Sequence, residues 1–175
     1  MPQRTEPSGP RLDLRRMGTA DEALYCALYC DAQVMRHIGM PLSEVAARRA
    51  FAATLRINAT CSWVPSYWAM VERQSSTSIG LAGLVGGATK DDAELGILIL
   101  PGWQGRGYAA DAMSMLISRA CSATPSTCLH ARHAAANGAM FRVMTQLGFA
   151  RKFTAEETPL ALHWQLYCQE GPRAG

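Results

Sequence analysis

The stretch Leu98-Ile99-Leu100-Pro101-Gly102-Trp103-Gln104-Gly105-Arg106-Gly107-Tyr108-Ala109 says most about the fold. It closes a nearly apolar run, Glu94 to Leu100, and such a run predicts a central strand that is covered on both faces. Pro101-Gly102 ends that strand, and a helical spacing of apolar residues begins at about Tyr108. The stretch therefore predicts a buried strand, a short turn and a helix, in that order.

The turn has the features of an anion site. Gly105 and Gly107 allow a ligand to approach the backbone without an intervening Cβ atom. The first turn of the following helix leaves backbone N–H groups without intrahelical partners, and the helix dipole favours a negative charge there. Arg106 and Arg119 add positive charge, so a diphosphate would fit. A purely structural glycine-rich turn is the alternative interpretation.

Two other phosphate-binding loops do not fit this turn. A nucleoside triphosphate loop ends in Gly-Lys-Ser/Thr, and the chain has no such ending here. A dinucleotide-binding loop needs Gly-x-Gly-x-x-Gly after a first strand, whereas here the second glycine spacing fails and the strand lies in the middle of the chain.

The rest of the chain predicts a mixed α/β domain around one sheet. Alternating or apolar runs bounded by turn residues predict further strands at Arg11–Arg15, Tyr67–Arg73, Ser78–Val85, Cys128–His133, Phe149–Phe153 and Leu160–Tyr167. Capping residues predict that helices begin after Thr19, which forms a capping box with Glu22, after Ser43, and at Asn137. The domain spans residues 11–168, between flexible tails at 1–10 and 169–175.

Composition excludes several classes of protein. The chain has 175 residues and a net charge of +3, so the charge does not indicate a nucleic-acid partner. No apolar run is long enough to cross a bilayer, and the polar start is not a signal peptide, so we expect a cytoplasmic protein without a membrane partner. The six cysteines show no Cys-x-x-Cys pair, and we expect reduced, packed cysteines and no metal site.

The central stretch resembles a known family. Gln104 to Ala109 looks like the acetyl-CoA loop of the GNAT acetyltransferases, and Ala93 to Trp103 resembles the preceding strand and turn of their RimJ/RimL branch. Asn137 followed by Leu147-Gly148-Phe149 is similar to the closing helix of the family. Further matches at 11–15, 31–39 and 67–71 extend the resemblance over most of residues 11–167.

The resemblance implies a single domain with a mixed sheet of six or seven strands, a splayed central strand pair and helices on both faces. Acetyl-CoA would be the co-substrate. Its pantetheine arm would contact Ile97, Leu98, Ile99 and Asn137, although Asn137 is equally consistent with a plain helix N-cap. Its pyrophosphate would be held by Gln104, Gly105, Arg106, Gly107, Tyr108 and Ala109.

The resemblance also implies direct attack of an amine on the thioester, assisted by a base. Glu94 is the first candidate base, and His130 and His133 are the alternatives. Each has an ordinary structural interpretation, as a strand-end carboxylate or as a packed strand residue. Many relatives place a tyrosine acid where this chain has Met144, and RimJ/RimL relatives often have serine where it has Met140. The usual proton donor is therefore missing, and Tyr167 is one possible substitute.

The predicted function is acetyl-CoA-dependent N-acetylation of a primary amine, either a protein N-terminus or a small molecule. A homodimer is compatible with this function. The missing acid favours an alternative, a non-catalytic acyl-CoA-binding sensor or regulatory module. A nucleotide-phosphate enzyme of another fold rests on the glycine-rich turn alone.

Overall fold

A computed structural model describes residues 9–60, 65–86, 92–124, 127–153 and 161–168. Within them the chain forms seven strands: β1 (Leu12–Arg16), β2 (Ser66–Glu72), β3 (Thr77–Gly86), β4 (Asp92–Ile99), β5 (Cys128–His133), β6 (Ala150–Lys152) and β7 (Leu162–Tyr167). It also forms five α-helices: α1 (Glu22–Tyr29), α2 (Ala32–Met35), α3 (Glu44–Thr60), α4 (Tyr108–Ala123) and α5 (Gly138–Gln146).

The strands form one sheet in the order β1-β2-β3-β4-β5-β7-β6. Only the central pair, β4 and β5, is parallel. Their ladder ends at Leu95 and Ala131, although β4 runs on to Ile99 and β5 to His133. The predicted mixed sheet and splayed central pair are therefore confirmed.

Helices cover both faces of the sheet and form a separate core on each. Successive side chains of β4 therefore point into the two cores in alternation. Ala93, Leu95 and Ile99 pack in the larger core with α4 and α5. Leu98 packs in the smaller core with α1, α2 and α3. The splayed end of β4 therefore lies between two helical layers.

Local signals located most of the element boundaries. Cys128–His133 is a strand as predicted, and the Ser43 hydroxyl accepts a hydrogen bond from the Ala46 N–H at the start of α3. The first capping box is wrong by one residue, since the Asp21 carboxylate accepts from the Gly18 N–H and a 3₁₀ turn precedes α1. The predicted tails lie outside the described residues except for Gly9 and Pro10.

The cysteine prediction is wrong for one pair. Cys121 in α4 and Cys168 after β7 form a disulfide, with Cα atoms 5.1 Å apart. These residues are 47 positions apart in sequence, so sequence spacing did not indicate the pair. Among the described residues, Cys26, Cys30 and Cys128 are free. None of the described helices combines the length and apolar character that a membrane span needs.

Candidate functional site

A cleft of about 440 Å³ opens where β4 separates from β5. Its floor is the end of β4, and its walls are the following turn, the start of α4, one side of α5, and α2 with its loop. The lining residues are Gln33, Val34, Arg36, His37, Ile38, Ile97, Leu98, Ile99, Trp103, Gln104, Gly105, Gly107, Tyr108, Ala109, Ala110, Asn137, Ala139, Met140, Arg142, Val143 and Gln146.

The turn at the mouth of the cleft presents the N-terminus of α4. Gly105 and Gly107 both have left-handed backbone conformations, with φ of +74° and +86°, which glycine adopts without steric cost. Gly107 is the N-cap, and its carbonyl accepts the N–H of Asp111. The amides that precede Asp111 in the first helical turn have no intrahelical acceptor. This end of the cleft therefore suits an anion.

Two side chains brace the turn. The Arg11 guanidinium donates to the Arg106 carbonyl at 3.0 Å and pairs with the Asp111 carboxylate at 2.7 Å. The Gln104 amide donates to the Ile99 carbonyl at 2.9 Å, so the turn is tied back to β4. Neither contact was predicted, because each depends on how the turn packs against a strand.

Nine of the ten residues predicted to contact the cofactor line the cleft. The exception is Arg106, whose guanidinium lies over the Trp103 ring at 5.1 Å from its centroid. Asn137 lines the cleft and is also the N-cap of α5, because its Oδ1 accepts the Met140 N–H at 3.2 Å. Its Nδ2 group can donate to a ligand while the cap is kept.

Residues 11–150 match the family model described as the acetyltransferase (GNAT) domain. This chain belongs to the GNAT acetyltransferase family. No curated protein sequence matches it significantly.

Solved structures agree with this family. The GNAT-family acetyltransferase from Bacillus anthracis has a TM-score of 0.79 at 15% identity, covering 95% of this chain and 100% of its own. Spermidine N-acetyltransferase from Vibrio cholerae, with CoA and spermine, has 0.76 at 17%, covering 91% and 97%. RimL, a ribosomal L7/L12 alpha-N-protein acetyltransferase with CoA, has 0.75 at 14%, covering 92% and 96%.

The two predicted catalytic residues of this GNAT domain lie outside the cleft lining. They are direct neighbours across the parallel ladder. Glu94 accepts a hydrogen bond from Arg132 Nε at 2.9 Å, and the His130 imidazole lies 3.9 Å from the Asp92 carboxylate. Gly96 is exposed, and no atom lies within 4 Å of where its Cβ would be. The strand surface is therefore open between Glu94 and the cleft.

Sequence reasoning missed the basic residues that line the GNAT cleft: Arg36 and His37 after α2, and Arg142 in α5. Helical spacing counted from Asn137 could have indicated which side of α5 faces the cleft. Ala139, Met140, Val143 and Gln146 recur at that spacing on the cleft side. Arg119, predicted to add charge near the turn, instead stacks over Trp68 at 5.3 Å.

Methionines occupy the two positions at which the family resemblance implies a proton donor. Met144 is fully buried in the larger core, and Met140 lines the cleft. Tyr167 lies on β7 and is not among the cleft residues; its hydroxyl hydrogen-bonds the Cys128 thiol. His133 is buried, with Nδ1 against the Ala134 carbonyl and Nε2 accepting from the Trp164 indole. Burial lowers the pKa of His133, which favours its neutral form.

Proposed function

We propose that this GNAT domain uses acetyl-CoA to acetylate a primary amine, either a protein N-terminus or a small molecule, as a member of the RimJ/RimL branch. The amide-lined turn at the mouth of a splayed parallel strand pair carries this proposal. An anion held at the turn leaves the extended part of the ligand directed into the gap between β4 and β5. A diphosphate joined to a long amide-containing arm has that shape.

The residues of the cleft fit such a ligand. Backbone N–H groups from Gly105 to Ala109 face the diphosphate, and the α4 dipole adds to their attraction. Ile97, Leu98 and Ile99 offer the edge of β4 to the amides of the arm, since β5 does not pair with that part of the strand. Asn137 Nδ2 is a further donor to the arm. Arg36 and Arg142 bring positive charge to the same cleft.

Glu94 is the base in this proposal. Its carboxylate shares the β4 face of Gly96 and Leu98, and the absence of a side chain at Gly96 leaves room for the acceptor above the strand. The neutral amine attacks the thioester carbon, a bond from nitrogen to carbon forms, the bond from carbon to sulfur breaks, and the amine proton passes to Glu94. A backbone N–H near Ile99 donates to the carbonyl oxygen as charge develops.

The leaving thiolate needs no acid at this site. Thiols have a pKa near ~8.5, so the thiolate of CoA is a tolerable leaving group near neutral pH. Acetyl transfer can therefore proceed although Met144 occupies the position at which many relatives have the general acid. We assign the base to Glu94 rather than His130, because the His130 imidazole is directed toward Asp92, away from the cleft.

Two structural neighbours support an amine acceptor. One is named for spermidine and the other for a protein N-terminus, and both acceptors are primary amines. Their identities to this chain are 17% and 14%, so the likeness shows the fold alone.

The test is release of free CoA thiol from acetyl-CoA with a panel of peptides, polyamines and amino sugars. For the best acceptor, we expect Glu94→Gln to lower kcat by at least ~100-fold, the usual contribution of a general base. Arg132→Gln is the matched control, because it breaks the same ion pair and keeps the carboxylate. We expect it to change kcat less than threefold, since exposed ion pairs contribute little.

Three results would contradict the proposal. Equal losses in the two variants would mean that only the ion pair matters. Tight acetyl-CoA binding without turnover on the whole panel would favour the sensor function instead. Lack of any CoA binding would remove the basis of both functions.

A further inference from the structure

Three potential metal ligands meet at the end of the sheet that is remote from the cleft. Asp92, Cys128 and His130 each offer one donor atom, and these three atoms all lie within 4.8 Å of one another. None of the three residues lines the cleft. The group therefore lies outside the cleft, and its His130 is the direct ladder neighbour of Glu94, the proposed base.

Strand geometry brings this group together. Cys128 and His130 are two residues apart on β5, so their side chains lie on the same face. Asp92 is the direct partner of Cys128 in the parallel ladder, and direct partners share a face. The sequence predicted no metal site, because Asp92 lies on another strand, 36 positions before Cys128.

We propose that Asp92, Cys128 and His130 bind a divalent transition-metal ion, with zinc preferred. Thiolate, imidazole and carboxylate are the three ligand types that Zn²⁺ takes in proteins. Thiolate and carboxylate together carry two negative charges, and imidazole binds in its neutral form. The ligands therefore balance the charge of one Zn²⁺.

The distances are close to those of a bound site. Zinc bonds of roughly 2.0–2.3 Å at tetrahedral angles place donor atoms about 3.4 Å apart. His130 Nε2 and Asp92 Oδ1 are 3.9 Å apart, and all three donor atoms lie within 4.8 Å of one another. Side-chain rotations that shorten these separations by about 0.5–1.4 Å would therefore close the site. A water or the Tyr167 hydroxyl, which already hydrogen-bonds the Cys128 thiol, would complete four ligands.

Burial and access also suit a metal. Cys128 is buried, whereas the side chains of Asp92 and His130 are 18% and 23% exposed. The ion can therefore enter from solvent and still be held partly away from water. Asp92 precedes Ile97 by five positions on β4, which is about 16 Å along a strand. The metal would hold together the paired ends of β4 and β5, while their other ends stay apart for the cofactor.

The test uses the full chain without an affinity tag, stripped with a chelator and kept free of thiol reductant. Zinc affinity is measured by competition with a chromogenic chelator, and cobalt is used as a spectroscopic probe. We expect one ion per chain and a thiolate-to-cobalt absorption band. A hundredfold excess of zinc over Kd should raise Tm by about 5–10 °C.

Variants identify the ligands. Cys128→Ser, which keeps the size and hydrogen-bonding capacity of the side chain, should weaken zinc binding by at least a hundredfold and abolish the cobalt band. Asp92→Asn, at a partly exposed position, should weaken binding at least tenfold and is a second test should Cys128→Ser fold poorly. The matched controls are Cys26→Ser together with Cys30→Ser, and His163→Gln, which should each leave zinc affinity within twofold.

Binding of equal strength in Cys128→Ser and the unaltered chain would overturn the proposal. So would a stoichiometry below one in ten, or a cobalt spectrum without the thiolate band. All the readouts are metal binding or unfolding temperature, so the result does not depend on whether acetyl transfer is observed.

Discussion

Replacement of Gly107 by valine tests whether the turn before α4 is the anion site. Gly107 has a φ of +86°, and an added Cβ would lie 3.0 Å from Arg11 Nη2. A left-handed conformation costs an L-residue roughly 1–2 kcal/mol. The tip of Arg11 is half-exposed and can move, at a loss of less than ~1 kcal/mol for its surface ion pair with Asp111. We therefore expect about 2–3 kcal/mol of lost stability.

The effect on CoA should exceed this general destabilisation. A valine side chain would stand in the cleft lining and tilt the amides at the start of α4. We expect the Kd for CoA, measured by isothermal titration calorimetry well below the Tm, to rise at least tenfold, or about 1.4 kcal/mol. Gly148→Val is the matched control, because Gly148 also has a left-handed φ, of +79°, but lies outside the cleft.

Gly148→Val should lower Tm by a similar amount and leave the Kd for CoA unchanged. The reasoning is refuted if Gly107→Val binds CoA within twofold of the unaltered chain. It is equally refuted if Gly148→Val weakens binding as much as Gly107→Val, because the loss would then reflect stability alone.

Three further predictions concern stability. Reduction of the Cys121–Cys168 disulfide, which closes a loop of 47 residues, should cost about 4 kcal/mol; urea unfolding with and without reductant measures this, and equal midpoints would contradict it. Burial lowers the pKa of His133, so the unfolded chain takes up a proton near pH 6.5 that the folded chain does not. The free energy of unfolding should therefore fall as the pH drops below that value, by up to about 1.4 kcal/mol per pH unit. His133→Phe should remove this pH dependence and His163→Gln should not. Asn58→Ala should cost about 3 kcal/mol in urea unfolding, since the buried Asn58 amide hydrogen-bonds the Met17 carbonyl and both the N–H and carbonyl of Tyr67; a loss below 1 kcal/mol would refute this.

Local signals account for the part of the fold that was predicted. Alternation defined β1 and β5, a hydroxyl cap started α3, and paired glycines marked the turn before α4. Each signal lies within a few residues of the feature it determines. The glycine signal also led to the anion end of the cleft, whereas Ile97 to Ile99 and Asn137 were assigned through the family resemblance.

Contacts between distant segments were not predictable in this way. Arg11, which directly precedes β1, reaches the turn, and Asn58 joins α3 to β2. The position of Glu94 relative to the cleft depends on the register of β4. A shift of that register by one residue would place the Glu94 side chain on the other face of the sheet. Register depends on how whole strands pair, which no short segment specifies.

The sequence by itself determined the order of the strands and of every α-helix except the short α2, the glycine turn with its bare amides, and the family. These follow from steric and hydrogen-bonding preferences that act between neighbours in the chain. Only the tertiary structure decided that Cys121 meets Cys168 and that Asp92 meets Cys128 and His130. These contacts require the packing of α4 against the sheet and the pairing of β4 with β5, and both arise from the burial of the whole core.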